Sequence, residues 1–371
     1  MICKSIWVKN FRNIEEGQVS FGEGVNLLAG ENAQGKTNLL EAIFYPSVGR
    51  SFRGAHTPEI IRFGESLAEI RLTYQDTKRD QSIGVKLYRD RQRLVEKNGL
   101  RMDKLSDIVG CFRAVLFCPE HLSMIQSGPA ARRSYMDMAI SRMNPRYMRA
   151  LQTYTAILRQ RNALLKSAYH DRSAFDTTVE LWSRRLAEEA AVIAEQRLMF
   201  VRRIEKHIVE CFSEMTGERE MPTLRYNGSS GQEEEEYSDR GAVTERYFQL
   251  LMSSHDREIS AGATLWGIHK DDLDIRLNGR SARNFGSQGQ QRSLSLAMKL
   301  AEGEICREEF GDYPVFLFDD VLSELDENRR DYVLHRIRGK QVILTGCEPG
   351  LLLGVPDVKR ILVENGQYRE G

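Results

Sequence analysis

The sequence predicts an α/β fold with mixed β-sheets, divided by a long α-helical insertion, and three observations carry that expectation. Val25–Ala29 is a short apolar run that leads into the glycine-rich residues 30–35, and an apolar-periodic helix follows through Leu39, Leu40, Ala42, Ile43 and Phe44. Near the other end, Val315–Phe318 is an apolar strand closed by Asp319 and Asp320. Between these two ends lie stretches with few helix breakers, roughly 145–169 and 175–216.

In chain order, residues 2–11 read as a strand, and 67–74 and 82–88 alternate as strands, with Asn98-Gly99 as a hairpin turn. Residues 112–117 form a further strand, closed by Pro119. In the second helical stretch Val179, Trp182, Leu186, Ala190, Ile193, Phe200, Ile204, Ile208 and Cys211 fall near a 3.6-residue period. The connector His170-Asp171-Arg172-Ser173 is short, so the two helices should return antiparallel. At 1.5 Å per residue the longer one would reach roughly 60 Å, which implies an arm. Residues 227–239 are polar and acidic, a solvated loop, with a helix near 243–252. Strand 272–277 with an Asn278-Gly279 turn, helix 287–304, strand 315–318, helix 324–338 and strands 341–344 and 360–363 complete the order. The expected division is a head segment at 1–118, a helical arm or lid at 119–255, and the rest of the head at 256–371.

The 371 residues carry 53 Lys and Arg against 53 Asp and Glu, so binding of a polyanion would need a local patch or an assembly rather than overall charge. Six scattered cysteines without a CxxC pair suggest neither a zinc site nor a disulfide framework. No apolar run is long enough for a membrane span and no signal-peptide pattern opens the sequence, so a cytoplasmic protein without membrane contact is expected.

Gly30-Glu31-Asn32-Ala33-Gln34-Gly35-Lys36-Thr37 fits GxxxxGK[ST]. Glycines let backbone N–H groups close around phosphate oxygens, and the helix N-terminus that follows adds partial positive charge. Lys36 would reach the β- and γ-phosphates, and the Thr37 hydroxyl would complete a Mg²⁺ shell. A strand beside this loop would bring Asp319 near the metal, and Asp320 could then orient or deprotonate an attacking water. A third element, Ser287-Gln288-Gly289-Gln290, opens a helix, where a hydroxyl and a bare amide suit an anion, although taken alone the element reads first as an ordinary N-cap.

The order of phosphate loop, SxGQ helix, strand-Asp-Asp and Ser323-Glu324-Leu325-Asp326 resembles the ABC-type ATPases. Within them Asn10-Phe11-Arg12-Asn13, the phosphate loop, Gly49-Arg50-Ser51-Phe52-Arg53 and Leu116-Phe117-Cys118-Pro119-Glu120 resemble the RecF family, whose head is similar to that of SMC proteins. So do Arg132-Arg133-Ser134-Tyr135-Met136-Asp137, Gly267-Ile268-His269-Lys270-Asp271-Asp272-Leu273 and the segment opening at Ser287. The resemblance implies ATP and Mg²⁺ as ligands, a homodimer closed by ATP, and Ser287, Gly289 and Gln290 capping the nucleotide held by the other subunit. It implies weak, DNA-stimulated hydrolysis that acts as a switch, and work with RecR and RecO at gaps and single-strand/double-strand junctions in DNA repair, replication and the SOS response. Arg12 becomes a candidate phosphate contact. Two departures favour a timing switch over a motor: no histidine follows Leu344-Thr345-Gly346-Cys347-Glu348, and Glu120 stands where a glutamine is expected.

Residues 132–172 hold nine basic side chains (Arg132, Arg133, Arg142, Arg146, Arg149, Arg159, Arg161, Lys166, Arg172) against Asp137 and Asp171, with tyrosines interleaved. By themselves they read as a solvated helix face; with the resemblance they could contact DNA phosphates, or dock a protein partner in a nucleotide-gated adaptor that touches DNA only incidentally. A transporter subunit is disfavoured by the roughly 250 residues between phosphate loop and SxGQ, and a long-armed SMC protein by the lack of extended heptads.

Overall fold

The computed structural model describes residues 1–77, 79–168, 172–217, 220–231, 237, 239–346 and 357–371. In chain order it runs β1 (Ile2–Phe11), β2 (Ile14–Ser20), β3 (Val25–Ala29), α1 (Lys36–Val48), α2 (Thr57–Ile60), β4 (Leu67–Gln75), β5 (Asp80–Tyr88), β6 (Leu94–Lys97), β7 (Leu100–Met102), β8 (Ala114–Phe117) and α3 (Pro119–Leu122). Then follow α4 (Pro129–Met143), α5 (Pro145–Ser167), α6 (Arg172–Thr216), β9 (Pro222–Asn227), α7 (Arg240–Ser253), α8 (His255–Ala261), β10 (Asp272–Leu277), β11 (Arg280–Ser281) and α9 (Ala282–Phe285). The chain ends with α10 (Gln288–Phe310), β12 (Val315–Phe318), α11 (Glu327–Arg336), β13 (Val342–Gly346), β14 (Lys359–Glu364) and β15 (Gln367–Glu370).

Two compact units result. One gathers Met1–Ser123, Cys211–Gly217 and Arg292–Gly371; the other holds Met124–Glu210 and Glu218–Gln291.

The first unit is built on two sheets. An antiparallel one runs β2-β1-β4-β5-β6-β7, and a mixed one runs β15-β14-β3-β13-β12-β8 with only β15 antiparallel. The parallel strands read as continuous apolar runs because both faces are covered: β8, β12 and β13 are buried along their whole length. Helix α1 packs on strands of both sheets, so it is apolar nearly all round and buried from Leu39 to Val48. Within it Glu41 is fully buried. One core cluster runs from Cys3 through Ile43, Leu116 and Leu317 to Val363.

The second unit carries α4 and α5, most of α6, and the small antiparallel sheet β11-β10-β9. The antiparallel return of α5 and α6 is visible in their cross-contacts. Asn144, capping α5, donates to Gln196 at 2.7 Å, Arg161 donates to Ser183 at 3.2 Å, and Leu165 joins Phe175 and Val179 in one cluster. As one helix advances the other retreats.

Several expectations needed adjustment. Arg172 and Ser173 are helical rather than connector, because α6 begins at Arg172, and residues 169–171 lie outside those described. The helix expected at 324–338 covers only Glu327–Arg336, because Asp326 caps its start. Strands β2, β9 and β15 were not anticipated; their alternation is short or interrupted by Gly17, Pro222 and charges. Of the acidic loop, residues 232–236 and 238 lie outside the described set, as do Cys347 and Glu348 beyond β13. Among the described residues no helix is long and apolar enough to cross a membrane.

Candidate nucleotide site

In the first unit, β3 ends at Ala29 and the chain turns into α1 through the glycine-rich loop. Gly30 is required by close approach: a Cβ there would lie 2.3 Å from the Val363 carbonyl oxygen on neighbouring β14. Gly35 has φ +109°, open to glycine, and Ala33 also sits in left-handed space at φ 66°. α1 then begins at Lys36 with no capping side chain and no acidic residue in its first turn. The N–H groups of the first turn and the positive end of the helix dipole therefore meet where the loop closes, as an anion site requires. Lys36 is buried, and its ammonium donates to the carbonyls of Gly30 at 2.5 Å and Glu31 at 3.0 Å. The β14–β15 turn braces the outer side of the loop: the amides of Asn365 and Gly366 donate to the side-chain and backbone oxygens of Gln34 at 2.6 and 2.9 Å.

The strand order brings distant residues to this loop. β13 pairs in parallel with β3 on one side and β12 on the other, so the C-terminal ends of all three converge. Thr37 Oγ1 donates to Asp319 Oδ1 at 2.7 Å across 282 residues of sequence. Thr345, at the end of β13, donates to the same oxygen at 3.2 Å and accepts from the Asp320 amide at 2.9 Å. Burial raises the Asp319 pKa above the ordinary carboxylate value, with the hydroxyls of Thr37 and Thr345 pulling the other way. Asp320 adopts φ 53°, and its carbonyl accepts from Ser323 at 2.7 Å. Strain of this kind persists where the surroundings over-determine it. A hydroxyl and a carboxylate beside an anion seat are the hard oxygen donors that suit Mg²⁺, which takes one or two protein ligands and completes its shell from phosphate and water.

Arg12, the candidate phosphate contact, is engaged elsewhere. Its guanidinium forms a bidentate pair with Glu41 at 3.0 and 2.8 Å and donates to the Glu59 carbonyl at 2.9 Å. Glu41 also accepts from Ser51 at 2.5 Å and lies 3.7 Å from Arg53. The sequence picks out Ser51 only as part of the motif at 49–53, and Glu41 not at all. A lone carboxylate inside the apolar stretch Leu39–Tyr45 was the available signal, since a buried charge needs a partner. Glu120 is exposed on α3. Arg292 on α10 donates to the Glu324 carbonyl at 3.2 Å, and Arg329 on α11 donates to Ser293 at 2.7 Å. Both arginines tie α10 to the Ser323–Asp326 segment, and neither was foreseen.

In the second unit, Ser287 and Gln290 form a reciprocal capping box at the start of α10. The Gln290 amide donates to Ser287 Oγ at 3.2 Å, and the Ser287 amide donates to Gln290 Oε1 at 2.6 Å. The Gln290 side-chain amide also donates to Glu220. The nine basic residues at 132–172 divide. Arg132 pairs with Asp272 at 2.8 Å, Arg161 with Glu258 at 2.6 Å, and Arg142 is buried, so these three belong to the interior. Tyr135, Tyr147 and Tyr154 are core residues too. Arg146, Arg149, Arg159 and Lys166 remain exposed on α5, spread over nearly half of the helix circumference rather than along one face, and α5 carries no acidic residue.

The family model described as the RecF/RecN/SMC N-terminal domain matches residues 2–367. A DNA replication and repair protein RecF of Clostridium acetobutylicum is 33% identical over 379 residues, covering 100% of both chains. The chain belongs to the RecF family. A second RecF, from Bacillus pumilus, is 37% identical over 92% of this chain and 91% of its own. Among solved structures, the recombination mediator RecF of the RecFOR pathway with ATPγS superposes with a TM-score of 0.92 at 33% identity, covering 99% of this chain and 97% of that one. The α/β head with mixed sheets and a helical insertion is therefore the family fold.

Proposed function

We propose that this chain is an ATP-gated DNA-binding switch of recombinational repair and replication. The observation that carries the reading is the convergence of Thr37 and Asp319 at 2.7 Å beside the uncapped start of α1. A recombination mediator RecF solved with ATP, 33% identical, supports ATP as the nucleotide. The loop from Gly30 through Glu31, Asn32, Ala33, Gln34 and Gly35 would cradle the phosphates by backbone N–H groups, with Lys36 turned from the loop carbonyls to the β- and γ-phosphates. Thr37 and Asp319 would hold Mg²⁺, which when bound neutralises phosphate charge. Asp320, its backbone fixed on both sides, would orient or deprotonate the attacking water. Ser287, Gly289 and Gln290 would face the nucleotide of a second copy, so that ATP closes a homodimer and slow hydrolysis reopens it. Arg12 would contribute to phosphate binding only by leaving Glu41.

The exposed basic residues of α5 are the surface offered to DNA, doubled in a dimer. RecR, with RecO, is the protein partner this reading implies through the RecFOR pathway named for that relative. The test is anisotropy of labelled duplex and gapped DNA, with and without Mg-ATP, over a salt series. Tight, salt-steep binding only with ATP is expected. Weak binding indifferent to nucleotide would turn the reading to a protein-directed adaptor.

A further inference from the structure

We propose that Thr345 is a positioning residue for both aspartates of the nucleotide site. This rests on the ATP reading given above and goes further, assigning work to a residue on a strand that carries neither the phosphate loop nor the aspartates. β13 is the strand between β3 and β12, and its last residues reach the level where β3 enters the loop and β12 gives way to Asp319. Thr345 is 2% exposed, so its hydroxyl must find its partners inside the protein.

It finds two. The single O–H donates to Asp319 Oδ1, and the lone pairs accept the Asp320 amide. The first bond, with that from Thr37, converges two hydroxyls on one carboxylate oxygen and fixes the rotation of the Asp319 side chain. The second holds the backbone of Asp320 as it passes through φ 53°, a conformation that costs free energy unless the surroundings impose it. One hydroxyl thus couples the orientation of the carboxylate to the path of the next residue. A β-branched side chain suits the task, because its χ1 has few alternatives.

Removing the hydroxyl while keeping the shape should loosen metal-dependent steps and leave metal-free nucleotide binding alone. In Thr345→Val, retention of mant-ATP titrated with MgCl₂ should need roughly tenfold more metal, and turnover should fall by at least about as much, the usual size of a lost outer-shell contact. Affinity for mant-ATP in EDTA should stay within about twofold of wild type, and Thr345→Ser should recover most of the loss. A merely structural role would shift the EDTA affinity and the metal midpoint together, and that result would overturn the proposal. So would a Thr345→Val protein with wild-type metal midpoint and turnover. Should valine prevent folding, Thr345→Ala deletes the same hydroxyl without added bulk and carries the same comparison. A wild-type chain that bound no mant-ATP at all would remove the ATP reading itself, before any variant was made.

Discussion

Arg161 and Glu258 meet at 2.6 Å with neither side chain exposed, although Arg161 belongs to the basic run that the sequence offers as a nucleic-acid surface. Arg161 also donates to Thr264 at 2.8 Å, and Glu258 accepts the Leu265 amide at 2.7 Å, so the pair closes a satisfied network linking α5, α8 and the segment after it. Breaking it from one side leaves a buried charge. Arg161→Met should cost roughly 3–5 kcal/mol by denaturant unfolding, and the double variant with Glu258→Leu should recover much of that. The salt slope of DNA binding by Arg161→Met should equal wild type, whereas Arg149→Gln, at an exposed position of α5, should lower it by about one unit. Equal slopes in both variants would remove α5 from the DNA surface.

His269 gives the second unit a pH dependence. Burial, the largest cause, draws its pKa down to about 4. The ring is held neutral between Tyr154 at 2.7 Å and the Thr264 carbonyl at 3.1 Å; the carbonyl can only accept, so Nε2 carries the proton and Nδ1 accepts from the tyrosine. Because the folded pKa lies below the unfolded value, the unfolded chain binds the extra proton between the two. Stability is therefore full above about pH 6.5 and lost as pH falls toward 4, about 2 kcal/mol between pH 7 and pH 5. Urea unfolding at those two pH values checks it: His269→Asn should flatten the difference, and an unchanged slope would contradict the assignment.

Asp319 works in the opposite sense. Burial raises its pKa, so ionisation opposes folding, and the cost appears as pH rises through the folded value. Asp319→Asn should raise the unfolding midpoint at pH 7, with the gain shrinking as pH falls into the range where the wild-type carboxyl is protonated. Metal-dependent retention of ATP should weaken in the same variant, the exchange expected when a site residue is held at the expense of stability. A lower midpoint at pH 7 would show that its hydrogen bonds outweigh its desolvation.

Much of this site is legible in the sequence because its chemistry is local. The loop needs glycine where Val363 crowds Gly30 and a helix start at Lys36, and an apolar strand must precede it, so spacing alone exposes it. Asp319 is readable for the same reason, at the end of β12. Thr345 is not, because a threonine ending a buried strand has no distinguishing neighbours, and only the parallel pairing of β13 between β3 and β12 gives it partners. The basic run failed in the other direction. Charge can be counted along the chain, but helical phase and the carboxylates opposite decide which side chains reach water, and Asp272 and Glu258 lie more than ninety residues from the arginines they neutralise.

Ser287 separates two roles that the sequence cannot. Its hydroxyl accepts from the Gln290 amide as an N-cap, and the proposed dimer asks the same residue to face a partner's nucleotide. Ser287→Ala should destabilise the chain by about 1 kcal/mol regardless of nucleotide, the usual worth of a cap. Ser287→Asn keeps a capping oxygen and should restore that stability. Ser287→Arg adds bulk and charge at the proposed interface; it should bind ATP as wild type does and yet sediment as a monomer with Mg-ATP, where wild type sediments as a dimer. An arginine variant that dimerised normally would leave Ser287 as a cap alone, and the shared nucleotide site would have to be abandoned.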